Sequence, residues 1–237
     1  MIRAVVLAAG VGSRIRPLHS RVPKPLTPLN GKALISYTLE ALAANQVEDV
    51  VVVTGYREET IHAALREGEP VAMTFLSNPD FELGAAASLS VARPVLDDEP
   101  FLLLMADHAV APGLVAKLLD GARLSGATVA ADYAPHHTDY EDEATKLAIA
   151  PDEPGRVLSI GKDVRPWQAL DAGAFYCTRD TWTALAELPH GAELSDVFGR
   201  MAAQGLLYAA DVSGEFWYDV DTPGDLAAAN VLIDSQD

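Results

Sequence analysis

Gly10, Gly12, Ser13 and Arg14 follow the apolar run Ile2–Ala8, and Lys24 stands between Pro23 and Pro25 ten residues further on. Two glycines this close allow a tight turn whose amides approach a ligand with no Cβ in the way. Ser13 adds a hydroxyl, Arg14 a planar fork that fits phosphate oxygens, and Lys24 a point charge on a stiffened backbone. The chemistry these residues suit is polyphosphate binding. It is neither common nucleotide motif: the glycine-lysine-hydroxyl sequence of a P-loop is absent, and Ile15 stands where a dinucleotide fingerprint needs its third glycine. Carboxylates complete the set. Asp107 lies just past the apolar run Phe101–Met105, where parallel α/β sheets place ligands, and Asp219 and Asp221 alternate around Val220 as on one side of a strand. Hard oxygen ligands beside a triphosphate suit Mg²⁺. Asp221 equally suits the N-cap of a helix starting at Pro223, and Asp107 a helix cap.

Two other clusters carry less. His108 adjoins Asp107, but continued strand geometry turns it to the opposite side, and a structural role is expected. His136, His137, Asp139, Glu141, Asp142 and Glu143 lack the spacing of a zinc site and read as a solvated acidic loop.

The elements that must position these residues follow from apolar periodicity. Strands are expected at Ile2–Ala8, Val50–Thr54, Val71–Leu76 and Phe101–Met105. Helices are expected at Lys32–Ala44, Glu58–Arg66, Gly84–Ala92 and Pro112–Leu124. This β-α-β rhythm predicts a Rossmann-like, three-layer α/β/α fold with a mostly parallel, mixed sheet. The second half is less regular. Strands are expected at Ala127–Tyr133 and Ala172–Tyr176, and a hairpin of Lys146–Ala150 with Val157–Ile160. Helices follow at Arg179–Leu188 and Leu194–Gln204, then strands at Leu206–Ala210 and Phe216–Val220 and a helix at Pro223–Ile233. With no linker or repeat, residues 1–237 read as one domain, with a nucleotide-binding half over about 1–110 and an acceptor-binding half over about 111–237.

Composition bounds the function. The 237 residues carry a net charge of −17, which argues against general nucleic-acid or anionic-membrane binding. Yet six of the 17 Lys and Arg precede the first acidic residue, Glu40, so the leading segment is set aside for an anion. The single cysteine, Cys177, fits a reducing compartment. The absence of a signal-peptide pattern or membrane-length apolar run makes a cytoplasmic protein without direct membrane insertion the expectation.

LAAGVGSRIRP followed by PKPL, with MADH, EATKLAI, IGKDV, DAGAFY, ELSDVF and WYDVDTPGDLAAAN in that order, resembles the nucleotidyltransferases that activate sugar phosphates and phospho-alcohols. Within them the pattern is most similar to the cytidylyltransferases acting on inositol 1-phosphate, with the bacterial phosphocholine enzymes as cousins. The resemblance covers nearly the whole chain. It implies the nucleotide-diphospho-sugar transferase fold, Mg²⁺ on Asp107, Asp219 and Asp221, and catalytic cations Arg14 and Lys24. It places the nucleotide base against backbone groups of Ala8 and Gly10 and near Tyr56, Asn78 and Ser88. It sets Lys146 and Lys162 on the acceptor phosphate, with Asp171, Glu193 and Asp196 as candidates for acceptor hydroxyls. The implied reaction transfers CMP from CTP to a phosphorylated alcohol, inositol 1-phosphate first, giving a CDP-alcohol and pyrophosphate. Other acceptors are phosphocholine, a phosphonate, or another cyclitol or sugar phosphate. Thymidylyl or uridylyl transfer to sugar 1-phosphates is a further alternative. A quaternary ammonium would call for an aromatic cage drawn from Trp167, Phe175, Trp182, Trp217 and Tyr218. A nucleotide-sensing subunit without turnover is the reading from another class. The resemblance also suggests a downstream membrane-embedded CDP-alcohol phosphotransferase, expected as a separate chain because this one ends soon after its last helix.

Overall fold

A computed structural model describes residues 2–15, 22–65, 68–135 and 143–234. In chain order the strands are β1 (Arg3–Ala8), β2 (Pro28–Leu29), β3 (Lys32–Ala33), β4 (Asp49–Thr54), β5 (Ala72–Ser77), β6 (Phe101–Met105) and β7 (His108–Val110). They continue with β8 (Ala127–Asp132), β9 (Lys146–Ile149), β10 (Val157–Gly161), β11 (Ala169–Cys177), β12 (Leu207–Asp211) and β13 (Trp217–Asp219). The helices are α1 (Leu34–Ala44), α2 (Glu58–Ala64), α3 (Ala85–Leu96), α4 (Pro112–Asp120), α5 (Arg179–Ala186), α6 (Leu194–Ala203) and α7 (Pro223–Asp234).

Val- and Leu-rich runs with no polar alternation must be covered on both faces. Val5, Val6, Val50, Val52, Phe101 and Leu103 accordingly have no exposed surface, each full burial contributing about 1.5–3 kcal/mol. β5, β4, β1 and β6 form the parallel core, and β11 joins β6 antiparallel. Beyond it β8 pairs with β11, and β12 lies parallel to β8. α1 and α4 cover one face through Ile35, Leu39, Leu114 and Leu118. α3, α5 and α6 cover the other through Leu89, Trp182, Val197 and Phe198. This is the expected three-layer α/β/α arrangement around a mixed sheet.

β11 changes neighbours along its length. Ala174–Cys177 pair with β6, whereas Ala169 and Leu170 pair with β9. Between them the register against β8 slips, and Gly173 takes φ +74°. The strand thus leaves an interruption at residues 171–173 on the side facing β6 and β9.

Several expected boundaries move. The α4 helix stops at Asp120 rather than Leu124, since Gly121 follows and Leu124 is exposed. α1 begins at Leu34 because Lys32 and Ala33 pair with Pro28 and Leu29. α3 runs past Ala92 to Leu96 with Pro94 in its last turn, where its missing N–H costs only the bond to the carbonyl of exposed Ser90. The two-stranded ribbon of β7 and β13 was not expected as a unit. A third apolar cluster, including Leu34, Ala109, Tyr218, Val220 and Ala229, holds it to α1 and α7.

Candidate active site

The ribbon brings the distant carboxylates together. His108 pairs directly with Asp219, Asp107 lies one residue ahead of the strand, and the Val220 amide donates to the Asp107 carbonyl at 3.1 Å. α1 clamps the same point: Thr38 Oγ1 donates to the His108 carbonyl at 2.9 Å. α7 frees the third carboxylate. Asp225 Oδ2 accepts from the amides of Asp221 (3.0 Å) and Thr222 (2.6 Å), and the Asp225 amide donates to Thr222 Oγ1. The helix start is therefore served by Thr222 and Asp225, and the Asp221 side chain is left for other partners. The Thr-x-x-Asp spacing was the sequence signal for that role.

Those partners are cations. Lys24, only 7% exposed, places Nζ 2.7 Å from Asp107 Oδ2, 2.6 Å from Asp221 Oδ1 and 3.9 Å from Asp219 Oδ1. Burial alone would lower the lysine pKa, but the surrounding charges of Asp107, Asp219 and Asp221 outweigh it and hold the ammonium protonated well above its ordinary value. Asp107 shows the reciprocal effect. Burial opposes its ionisation, yet Lys24 and His108 hold it well below the usual carboxylate range. Asp219 is different: burial and the neighbouring carboxylates push it up to about 6 against the pull of His108 and Lys24. Burying one charge costs several kcal/mol and is tolerable only when partners are this close.

The glycine loop closes over this cluster. At Gly12 (φ +60°) a Cβ would lie 2.6 Å from Lys24 Cβ, so the lysine stem packs where a side chain would otherwise stand. At Gly10 a Cβ would meet nothing within 4 Å, so no protein atom claims that space. Gly10, Gly12, Ser13, Arg14, Lys24, Asp107 and Asp221 line a pocket of about 230 Å³. Arg14 and Asp221 also line a larger cleft of about 840 Å³, so the two cavities meet at this pair. Arg14 bridges it, with Nη2 2.6 Å from Asp221 Oδ2 and Nη1 2.9 Å from Glu143 Oε2.

Among the residues expected to meet the base, the Tyr56 amide donates to the carbonyl of Ala9, next to Ala8 at the end of β1. Buried Asn78 donates to buried Ser88 Oγ at 3.0 Å. Asn78 Oδ1 accepts from the Asp80 amide, so its side chain is committed to this turn. Tyr56, Asn78 and Ser88 line neither cavity.

Across the cleft, Lys162, Asp171 and Glu193 stand in the wall. Asp171 Oδ1 accepts from the Gly173 amide at 2.8 Å, and burial nonetheless raises its pKa to about 7. Glu193 forms a capping box with Asp196 at the start of α6, which accounts for Asp196 as a cap. Lys146 is not in the wall. It is fully buried, and its Nζ donates to the carbonyls of Ala144 and Lys162. Of the five aromatic residues considered for a cage, Phe175 and Trp217 reach the cleft. Trp182 stacks on Phe101 in the core, and Tyr218 lies in the third apolar cluster.

His108 corrects the expectation that it points away from Asp107. The chain turns at Ala106–Asp107 before β7 begins, so strand alternation does not carry through. Its Nδ1 lies 3.0 Å from Asp107 Oδ1 and 3.8 Å from Asp219 Oδ1. Burial would lower its pKa, but Asp219 and Asp107 hold it up at about 9. Within the acidic segment, residues 136–142 lie outside the described residues, while Glu143 contacts Arg14.

The donor set fits a divalent cation. Asp107, His108 and Asp219 offer ligand atoms within 4.8 Å of one another, and buried Asp219 Oδ1 accepts no hydrogen bond from the described residues. An unsatisfied, buried carboxylate oxygen beside two more carboxylates is a position a hard cation satisfies.

Known proteins resemble this chain in fold and in sequence. The structure of the inositol-1-phosphate CTP transferase from T. maritima superposes with a TM-score of 0.84, at 24% identity, covering 98% of this chain and 95% of that one. A protein of Rubrobacter xylanophilus described as a bifunctional IPC transferase and DIPP synthase is 37% identical over 98% of this chain and 52% of its own length. A CMP-5'-(3-aminopropyl)phosphonate synthase of Streptomyces rubellomurinus is 33% identical over 97% of this chain and 38% of its own. The chain thus spans about half or less of the length of these two relatives. The model of the MobA-like NTP transferase domain matches residues 4–204, from β1 through α6, and by that match the chain belongs to this nucleotidyltransferase family.

Proposed function

We propose that the chain transfers CMP from CTP to a phosphorylated small alcohol, inositol 1-phosphate before others, with release of pyrophosphate. The observation that carries this reading is the junction at Arg14 and Asp221, where the glycine-loop pocket opens into the larger cleft beside Lys24 and Asp107. A triphosphate on the loop and an acceptor phosphate in the cleft would meet there. The identity shared with the Rubrobacter protein supports the acceptor class.

In this mechanism an acceptor phosphate oxygen forms a bond to the α-phosphorus of CTP. The bond to the α,β-bridging oxygen breaks, and pyrophosphate departs with that electron pair. A phosphate monoester, whose second pKa is about 6, is already anionic at neutral pH, so no side chain need remove a proton. Catalysis is then positioning and charge neutralisation. Arg14 and Lys24 exchange their carboxylate partners for phosphate oxygens and meet the charge growing on the leaving group. Amides of the Gly10–Gly12 turn hold the triphosphate, and Lys162 the acceptor phosphate. Asp107, Asp219 and Asp221 would hold Mg²⁺, which when bound supplies Lewis-acid neutralisation of phosphate charge.

A phosphonate acceptor is the second reading, favoured by the Streptomyces relative. The carboxylates Glu143, Asp171, Glu193 and Asp225 in the cleft suit an ammonium group as well as hydroxyls. Pyrophosphate release with Mg²⁺, crossing CTP, dTTP, UTP and GTP with inositol 1-phosphate, phosphocholine, glucose 1-phosphate and 2-aminoethylphosphonate, tests both. Turnover confined to CTP with inositol 1-phosphate is the expected result. Turnover with CTP and the phosphonate moves the acceptor, and silence across the grid overturns both acceptor readings.

A further inference from the structure

The fold builds a seat around His108 that the reaction described above does not use. One side of the imidazole lies against Gly173, where a Cβ would stand 2.2 Å from Cδ2 and 2.5 Å from Nε2. The indole of Trp217 is stacked at 6.5 Å with the planes 10° apart, and is itself fixed by Nε1 donating to buried Asp132. The backbone is clamped by Thr38, and the residue is paired in register with Asp219. The remaining nitrogen, Nδ1, faces Asp107 Oδ1 at 3.0 Å, with Asp219 Oδ1 further off at 3.8 Å.

We propose that His108 is a positioning residue: its Nδ1–H holds Asp107 in the orientation the cation site needs, and the ring occupies the place a side chain at Gly173 would take, a position whose φ of +74° also favours glycine. Two features favour this over direct coordination. A carboxylate can only accept from Nδ1, so that nitrogen presents a proton rather than a lone pair to the cluster. The set is otherwise oxygen, which suits Mg²⁺, and imidazole suits softer metals. The inference adds a link between the halves, since a residue of β11 on the acceptor side seats the ring that aligns a carboxylate on the nucleotide side.

The proposal rests on the cation reading of Asp107 and Asp219, and the test separates the two. Mn²⁺ alone is titrated into the intact protein, and free Mn²⁺ is read by electron paramagnetic resonance without any turnover. Asparagine places an N–H where Nδ1 stands, and glutamine places one near Nε2. His108→Phe is expected to weaken Mn²⁺ binding about 10- to 100-fold. His108→Asn should recover most of that loss and His108→Gln should not. Gly173→Ala should weaken Mn²⁺ strongly in the natural background and less in His108→Ala, where the backbone strain of a side chain at φ +74° remains but the clash with the ring is gone. Far-ultraviolet circular dichroism of each variant separates misfolding from lost alignment. Undiminished Mn²⁺ binding in folded His108→Phe overturns the proposal. So does rescue by glutamine rather than asparagine, a nitrogen coupling to bound Mn²⁺, or an equal effect of Gly173→Ala in both backgrounds. Failure of the natural protein to bind Mn²⁺ instead overturns the cation reading, and this proposal with it.

Discussion

Around Lys24 three carboxylates converge on one buried ammonium, each depending on the same partner. Across the cleft the acidic groups are tied separately: Asp171 to the Gly173 amide in its own strand, Glu193 to the start of its own helix. The first arrangement is coupled, so removing one member leaves the others uncompensated. In the second, each carboxylate is held by backbone amides of its own element, and Asp171 also feels the charges of His108 and Asp219. On the proposed function, this difference would keep the phosphate chemistry fixed and let the acceptor vary.

The sharpest way to break that contrast is Lys24→Met. Turnover should fall about 10²- to 10³-fold, the scale for removing a preorganised charge donor. Thermal unfolding should also move down in chelator, because repelling carboxylates remain, and Mg²⁺ should restore more of the loss than it adds to the natural protein. An unchanged melting temperature would mean that the cluster is not coupled.

The two loop glycines divide the same effect. Gly12→Ala must displace the Lys24 stem and is expected to cost at least about tenfold in turnover together with stability. Gly10→Ala has free space, so its melting temperature should be unchanged while KM for CTP rises. On the acceptor side, Lys162→Ala should raise KM for the acceptor about tenfold with little change in KM for CTP, read from initial rates. A parallel rise in both constants would deny the separation.

Asp171 gives a pH test with a definite sign. Its folded pKa of about 7 lies above the ordinary value of 3.8, so the folded state holds the extra proton and stability declines as pH rises between the two. Asp171→Asn removes that penalty, and its gain in melting temperature should be larger at pH 8 than at pH 5. The smallest effect is expected at the mouth. The exposed Arg14–Glu143 pair is worth about 0.2–1 kcal/mol, so Glu143→Gln should lower KM for CTP by no more than about fivefold.

The parallel core was legible because its strands are continuous apolar runs, and the glycine-loop pocket because glycine, arginine and a proline-flanked lysine are specific together. What escaped was long-range pairing. Nothing local in His108–Val110 announces a strand whose partner lies more than 100 residues away, and that partnership turned His108 toward Asp107. Lys146 reads like a cleft cation by type, yet its place in β9 buries it on two backbone carbonyls. Burial of that kind depends on tertiary neighbours, which residue type does not report.

The divided pairing of β11 has a mechanical meaning. One end of the strand is bonded to β6, whose neighbour is the strand that feeds the phosphate loop, and the other end to β9 at the acceptor wall. A hinge needs a few residues free to rotate between two bodies; residues 171–173 pair with neither β6 nor β9, but β8 pairs with β11 both before and after them. β8 thus braces the two ends of the strand against each other. On the proposed mechanism, what must move is the pairing at the entrance, where Arg14 would trade Glu143 and Asp221 for phosphate oxygens.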